Sequence, residues 1–177
     1  MRGDNLAFFP QFVDMLRRYS ADLSQVNAPC DHSGQTSCAL QDWAAFIVSV
    51  QGLDRRSQIE QVNRYINQID YVEDHTNWGV EDYWETPAQF FTRAGDCEDY
   101  AIAKYLTLRS LGVPIEQMRI VVLMDTNLGI GHAILAVYTD SDVLVLDNQI
   151  PQVVSESSIH HYQPVYSLNE RNWWRHR

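Results

Sequence analysis

The sequence predicts an α+β domain in which N-terminal helices and one later helix pack on an antiparallel sheet. Three observations carry this prediction. Apolar residues keep helical spacing through the first half of the chain. A run of helix formers opens at a cysteine and closes on Gly112-Val113-Pro114, and short β-prone runs separated by turn residues follow it. A length of 177 residues suits one continuous core. The expectation is a single domain over 1–177, with 1–28 as a helical N-terminal extension and 29–177 as the core.

Pro10 can start a helix, and Phe8, Phe12, Met15, Leu16 and Tyr19 then share one face of it. A polar segment holding Cys30 and Cys38 reads as a loop. Leu40–Val50 is dense enough in apolar residues for a buried helix, and Ile59, Val62, Tyr65, Ile66 and Ile69 space out another. Tyr71–Pro87 keeps no steady period and mixes acids with Trp78, Tyr83 and Trp84, so it reads as an ordered loop near the site. Cys97–Leu111 is the next helix, with acids in its first turn. Met118–Met124, His132–Tyr138 and Val143–Leu146 are expected to form consecutive antiparallel strands. The closing Trp173-Trp174-Arg175-His176-Arg177 suits either a docking tail or packing back onto the sheet.

Hydrophobic residues make up 45% and charged residues 20%, and no apolar run approaches the length of about 20 that a membrane helix needs. A formal net charge of −10 would repel a polyanion before specific contacts formed, which argues against nucleic acid as a partner. The acids serve solubility or hold a cation locally, and position alone separates the two. Pairing Cys30 with Cys38 would close a short loop and leave Cys97 free, as suits an oxidising compartment; two unpaired surface thiols are the alternative. The opening MRGDNLAFFP lacks the basic-then-apolar pattern of a secretory signal.

A cysteine in the first turn of a helix feels the positive end of the macrodipole, which favours thiolate and suits Cys97 as a nucleophile. A lone cysteine is more often a small packing residue. His132 opens a strand where a helix across the sheet can meet it, and is the preferred base; His32, His75, His160, His161 and His176 lie in polar or terminal surroundings. Asp147 ends the next apolar run, so it can hold the imidazole from a neighbouring strand or serve merely as a turn residue.

GDCEDYAIAKYLTLRSLGVP, GHAILAVY and VLVLDNQ, with NWGVEDYWETPAQF upstream, resemble the bacterial transglutaminase-like cysteine proteinases, the LapG-type periplasmic proteases among them. The resemblance runs from about Cys30 to the C-terminus. It implies a papain-like, transglutaminase-like core with Cys97, His132 and Asp147 in the triad positions, and peptide hydrolysis through a thioester. The Cys97 backbone N–H is the natural oxyanion donor, with a second from the Trp78–Tyr83 loop.

Asp96, Glu98 and Asp99 crowd negative charge around a group that must itself become an anion, which calls for a cation. Likeness to the LapG type makes that cation calcium, with Asp96 and Glu98 as ligands and Asp74 and Asp99 as further candidates; the competing reading is helix capping. The same likeness implies a periplasmic enzyme that cuts the N-terminal region of a large surface adhesin in biofilm control. Its implied restraint is an inner-membrane receptor responding to cyclic diguanylate. The absent leader pattern leaves a cytoplasmic location as the alternative. Two other functions suit the same residues: amidase or transglutaminase-type acyl transfer on another substrate, and a catalytically silent binding module.

Overall fold

The computed structural model describes residues 1–30 and 36–176. The polar loop expected between the two cysteines, His32 included, falls largely on 31–35, outside the described residues, as does Arg177.

Helix α1 spans Pro10–Leu23 and buries Phe12, Met15 and Tyr19, the face that the spacing predicts. Helix α2, Thr36–Val50, starts earlier than expected, so Cys38 sits in its first turns and not in a loop. There Cys38 is joined to Cys30 by a disulfide, with 4.9 Å between the Cα atoms. Helix α3, Arg55–Ile66, begins where the Asp54 side chain accepts a 3.0 Å bond from the Ser57 N–H.

The segment expected as one ordered loop contains two short helices, α4 at Asp74–Trp78 and α5 at Pro87–Arg93. Five and seven residues are too few to show a period, but the caps of α5 were legible. Thr86 and Gln89 form a capping box ahead of Pro87 at the first helical position. Gly79 closes α4 in the left-handed region, at φ 71°.

Helix α6, Cys97–Ser110, is buried over ten consecutive residues from Asp99 to Leu108. It is therefore the central helix, packed on the sheet on one side and on α3 and α5 on the other. The predicted meander is present as β2 (Met118–Asp125), β3 (Ile130–Tyr138) and β4 (Val143–Leu146), all antiparallel. It is the middle of a seven-stranded sheet that also holds β1 (Arg2–Gly3), β5 (Val154–Ser155), β6 (Tyr162–Leu168) and β7 (Trp173–Arg175). The strand order is β1-β7-β6-β2-β3-β4-β5.

Strand β6 thus lies on the far side of β2, about forty residues away in sequence, and brings Tyr162 level with Asp125. Alternation along the strands puts Met118, Ile120, Leu135, Val137, Leu144 and Leu146 into the core shared with the helices. Val121, Leu123, Ile134, Ala136 and Val145 form a smaller cluster of their own. Phe12, Met15 and Tyr19 belong to the main core, and β1 pairs with β7, so the N-terminal segment is packed into the body. The tryptophans near the C-terminus pack back onto the sheet: Trp173 lies against Phe8 and Phe9, and the Arg119 guanidinium sits 3.8 Å from the Trp174 ring. Among the described residues no helix is long and apolar enough to cross a membrane.

Candidate active site

The turn ahead of α6 is tightly fixed. Ala94 adopts φ 63°, which a residue with a Cβ holds at a cost of about 1–3 kcal/mol. The Asn77 side chain donates a 2.9 Å bond to its carbonyl, and Val72 N–H bonds the Gly95 carbonyl at 2.9 Å. Gly95 is required because a Cβ there would collide with the Asp99 carboxylate. Asp99 in turn accepts from the Asp96 N–H at 3.1 Å and from the Glu85 N–H at 2.7 Å. These contacts present Cys97 at the start of the helix.

Cys97, Glu98 and His132 line one cavity of about 250 Å³, together with Asp82, Trp84, Val122, Gly131, Ala133 and Tyr166. The Ala133 backbone N–H points at the sulfur and favours its thiolate, which places the thiol against β3 beside His132. On the other side of the imidazole, Nε2 lies 2.9 Å from Asp147 Oδ1. His132 Nδ1 is the nitrogen left for the cavity, with Gln149 Nε2 at 3.5 Å. Asp147 is fully buried; Oδ1 also accepts from the Gln149 N–H at 2.8 Å, and Oδ2 from the Tyr162 hydroxyl at 2.7 Å. Burial alone would raise its pKa, but the bonds and charge of His132 and the bonds from Tyr162 and Gln149 hold the carboxyl below its ordinary range. Asn67 secures the backbone by donating a 2.8 Å bond to the Asp147 carbonyl.

The thiol side is the opposite. Cys97 Sγ donates to Glu98 Oε2 at 3.1 Å, and the thiol pKa is pushed up, chiefly by burial and then by the Glu98 and Asp96 carboxylates. The macrodipole at the helix start therefore does not by itself deliver a low-pKa thiol, because desolvation and the carboxylates that the sequence places beside Cys97 outweigh it. Burial and the Glu98 charge raise Asp96 to about 9, and burial with Glu98 and Asp82 raises Asp74 to about 6. Asp82 is raised by burial and Glu98, and Asp99 by burial and the Glu85 charge.

Three overlapping sets of side chains bring their ligating atoms within 4.8 Å of one another: Asp96, Cys97 and Glu98; Asp74, Asp96 and Asp99; and Asp74, Asp82 and Glu98. Asp74 Oδ1 and Asp96 Oδ1 are buried with no hydrogen-bond partner in the structure, as suits oxygens meant for a hard cation. Asp99 stands at the edge of this group, with each of its oxygens already accepting a backbone bond.

Sequence reasoning did not nominate Asp82, Tyr162, Gln149 or Asn67. Asp82 lies in the segment singled out, but acids at 74, 82 and 96 share no period, and only the tertiary fold brings their carboxylates together. Of the aromatics, Trp84 lines the cavity. Trp78 instead donates to Glu85 Oε1 and lies under Arg93, 4.1 Å from its ring, and Tyr83 packs on Trp78 and Arg18. That arrangement gives the Trp78 side chain a packing role and no place as an oxyanion donor.

The sequence profile of the bacterial transglutaminase-like cysteine proteinases matches residues 25–176. The chain belongs to that family. The fold is similar to LapG of Legionella pneumophila in its calcium-bound structure, with a TM-score of 0.75 and 31% identity over 89% of this chain and 87% of that one. The EGTA-treated structure of the same protein gives 0.73 and 31%, over 92% and 86%. A search of curated proteins gives no match. Family and fold together make this bacterial transglutaminase-like proteinase a cysteine protease.

Proposed function

We propose that the protein is a calcium-dependent endopeptidase in which Cys97 is the nucleophile, His132 the acid and base, and Asp147 the residue that orients the imidazole. The observation that carries this reading is the shared cavity of Cys97 and His132, with Asp147 bonded to the ring nitrogen that faces away from it. Cys97 as thiolate attacks the scissile carbonyl, while the Cys97 backbone N–H at the helix start stabilises the developing oxyanion. His132, held as imidazolium against Asp147, gives its proton to the leaving amine. As imidazole it then draws a proton from the water that opens the thioester. Tyr162 and Gln149 keep Asp147 aimed throughout.

Asp74, Asp82, Asp96 and Glu98 are the residues that would hold the metal. When bound, calcium supplies the positive charge that offsets the carboxylates crowding the sulfur. The calcium-bound structure of LapG supports this part of the reading. The family's LapG-type likeness extends it to a periplasmic enzyme that trims the N-terminal region of a large surface adhesin under the control of an inner-membrane, cyclic-diguanylate-responsive receptor. The disulfide suits such an oxidising compartment.

The test is cleavage of an adhesin N-terminal fragment by wild type and Cys97→Ala, each with calcium and with chelator. Cutting by the calcium-loaded wild type alone is the expected result. Cutting by Cys97→Ala would remove the nucleophile assignment, cutting in chelator would remove the metal, and no cutting under any condition would remove the substrate class.

A further inference from the structure

Helix α1 carries two stripes. Phe12, Met15 and Tyr19 form an apolar one, buried in the main core, and that burial seats the helix on the body. Gln11, Arg18 and Asp22, seven and four positions apart, form a polar one, and all three side chains bond to the stretch from Asp82 to Gln89. The apolar stripe already holds the helix in place, so the polar stripe calls for a reason of its own.

Arg18 is the centre of this stripe. Its side chain is only 18% exposed, and each of its nitrogens donates: Nε to Asp14 Oδ2 at 2.7 Å, Nη2 to the Trp84 carbonyl at 2.6 Å, and Nη1 to Gln89 Oε1. The guanidinium carbon lies 4.6 Å from the Tyr83 ring centroid. Gln89 passes the hold on, because its amide donates to the Tyr83 hydroxyl at 3.0 Å and accepts the Thr86 N–H at 3.0 Å. At one end of the segment Gln11 Nε2 donates to Asp82 Oδ2 at 2.9 Å, while Trp84 Nε1 donates to Oδ1 at 2.9 Å. A carboxylate oxygen has two lone pairs, so these bonds aim the Asp82 carboxylate and leave it able to take a cation. At the other end the Thr86 hydroxyl donates to Asp22. The Tyr83 N–H donates to Asp74, so the segment held by α1 reaches the acids through its backbone as well as through Asp82.

We propose that Arg18 is a positioning residue that acts from α1 on the backbone of Tyr83 and Trp84, so that Asp82 meets Asp74 and Glu98 and Trp84 walls the cavity. This rests on the calcium reading above for the role of Asp82. Arginine suits the task because one flat fork reaches a carbonyl, an amide and a carboxylate at once, which the point charge of a lysine cannot do.

The first test is calcium titration by calorimetry of wild type, Arg18→Ala, Arg18→Lys and Arg17→Ala, with no substrate present. Both Arg18 variants are expected to bind calcium about tenfold more weakly, the lysine failing for want of the fork. Arg17, exposed on the same helix and paired with Asp14, is the control and is expected to leave the affinity within about twofold. Wild-type affinity in the Arg18 variants would overturn the proposal. The second test is amide hydrogen exchange in metal-free protein, read at Tyr83 and Glu85, whose N–H groups bond Asp74 and Asp99. In Arg18→Ala both amides are expected to exchange about tenfold faster, while those of Met15 to Tyr19 in α1 keep their wild-type rates. Faster exchange in both regions would reduce Arg18 to a residue that keeps α1 folded, and unchanged exchange in both would overturn the hold itself. A wild type that binds no calcium would strike the metal reading, and the exchange rates would still decide whether Arg18 fixes the segment.

Discussion

The two halves of the candidate site are built on opposite plans. Around Asp147 every carboxylate oxygen is bonded, the backbone is pinned by Asn67, and the pKa is held low. Around Cys97 the carboxylates outnumber their donors, Asp74 Oδ1 and Asp96 Oδ1 have no partner, and Asp74, Asp82, Asp96 and the thiol are all pushed up. If Cys97 is the nucleophile and His132 the base, as proposed, the chain completes the base by itself but builds the nucleophile for a counter-ion. On the proposed reading the cation acts on the thiol side alone.

The largest expected effect comes from the nucleophile. Cys97→Ala should lower turnover by about 10⁴-fold or more and leave the melting temperature within about 3 °C, because a small half-buried residue at a helix start carries little of the core. Near-normal turnover would break the comparison at its centre. Asp147→Asn should cost about 10²- to 10³-fold in kcat at every calcium concentration, since the finished half owes nothing to the metal. Rescue of this variant by excess calcium would show that the halves are not separate.

On the thiol side, the consequence appears in stability. Asp74 and Asp96, raised to about 6 and about 9 from the ordinary aspartate value of 3.8, bind protons in the folded state that the unfolded chain has released. Metal-free protein should therefore lose stability as pH rises from about 4 through these values, so that it melts higher at pH 5 than at pH 8. Calcium should remove or reverse that slope. Thermal melts across pH, with calcium and with chelator, read this directly, and a flat metal-free profile would contradict the strained half. Asp82→Asn should sharpen the point by weakening calcium binding about tenfold while raising the melting temperature of the metal-free protein. Titration calorimetry and melts of the same variant measure both. The smallest effect is expected for Tyr162→Phe, which removes one of several bonds to Asp147 and should lower kcat about three- to tenfold with calcium affinity unchanged.

Local chemistry made much of this legible. The helix at Cys97 declared itself through its acidic first turn and its Gly-Val-Pro stop, and β2 to β4 through short β-prone runs split by turns. The acids at 96, 98 and 99 were visible as charge beside a thiol, while Asp74 came only with the family resemblance. The segment from Tyr71 to Pro87 was harder, because α4 and α5 are too short for periodicity and are fixed by caps and by Glu85 and Asp99. The register of β6 beside β2, which delivers Tyr162 to Asp147, was out of reach for the same kind of reason.

The amino-acid sequence by itself determined the order of helices and strands, the helix-start cysteine and the acidic surroundings that call for a cation, because each depends on neighbours within a turn or a strand. Tertiary structure alone decided that Asp82 joins those acids and that Tyr162 and Asn67 reach Asp147. Those meetings join residues 8 to 80 positions apart, and only sheet register and helix packing set them.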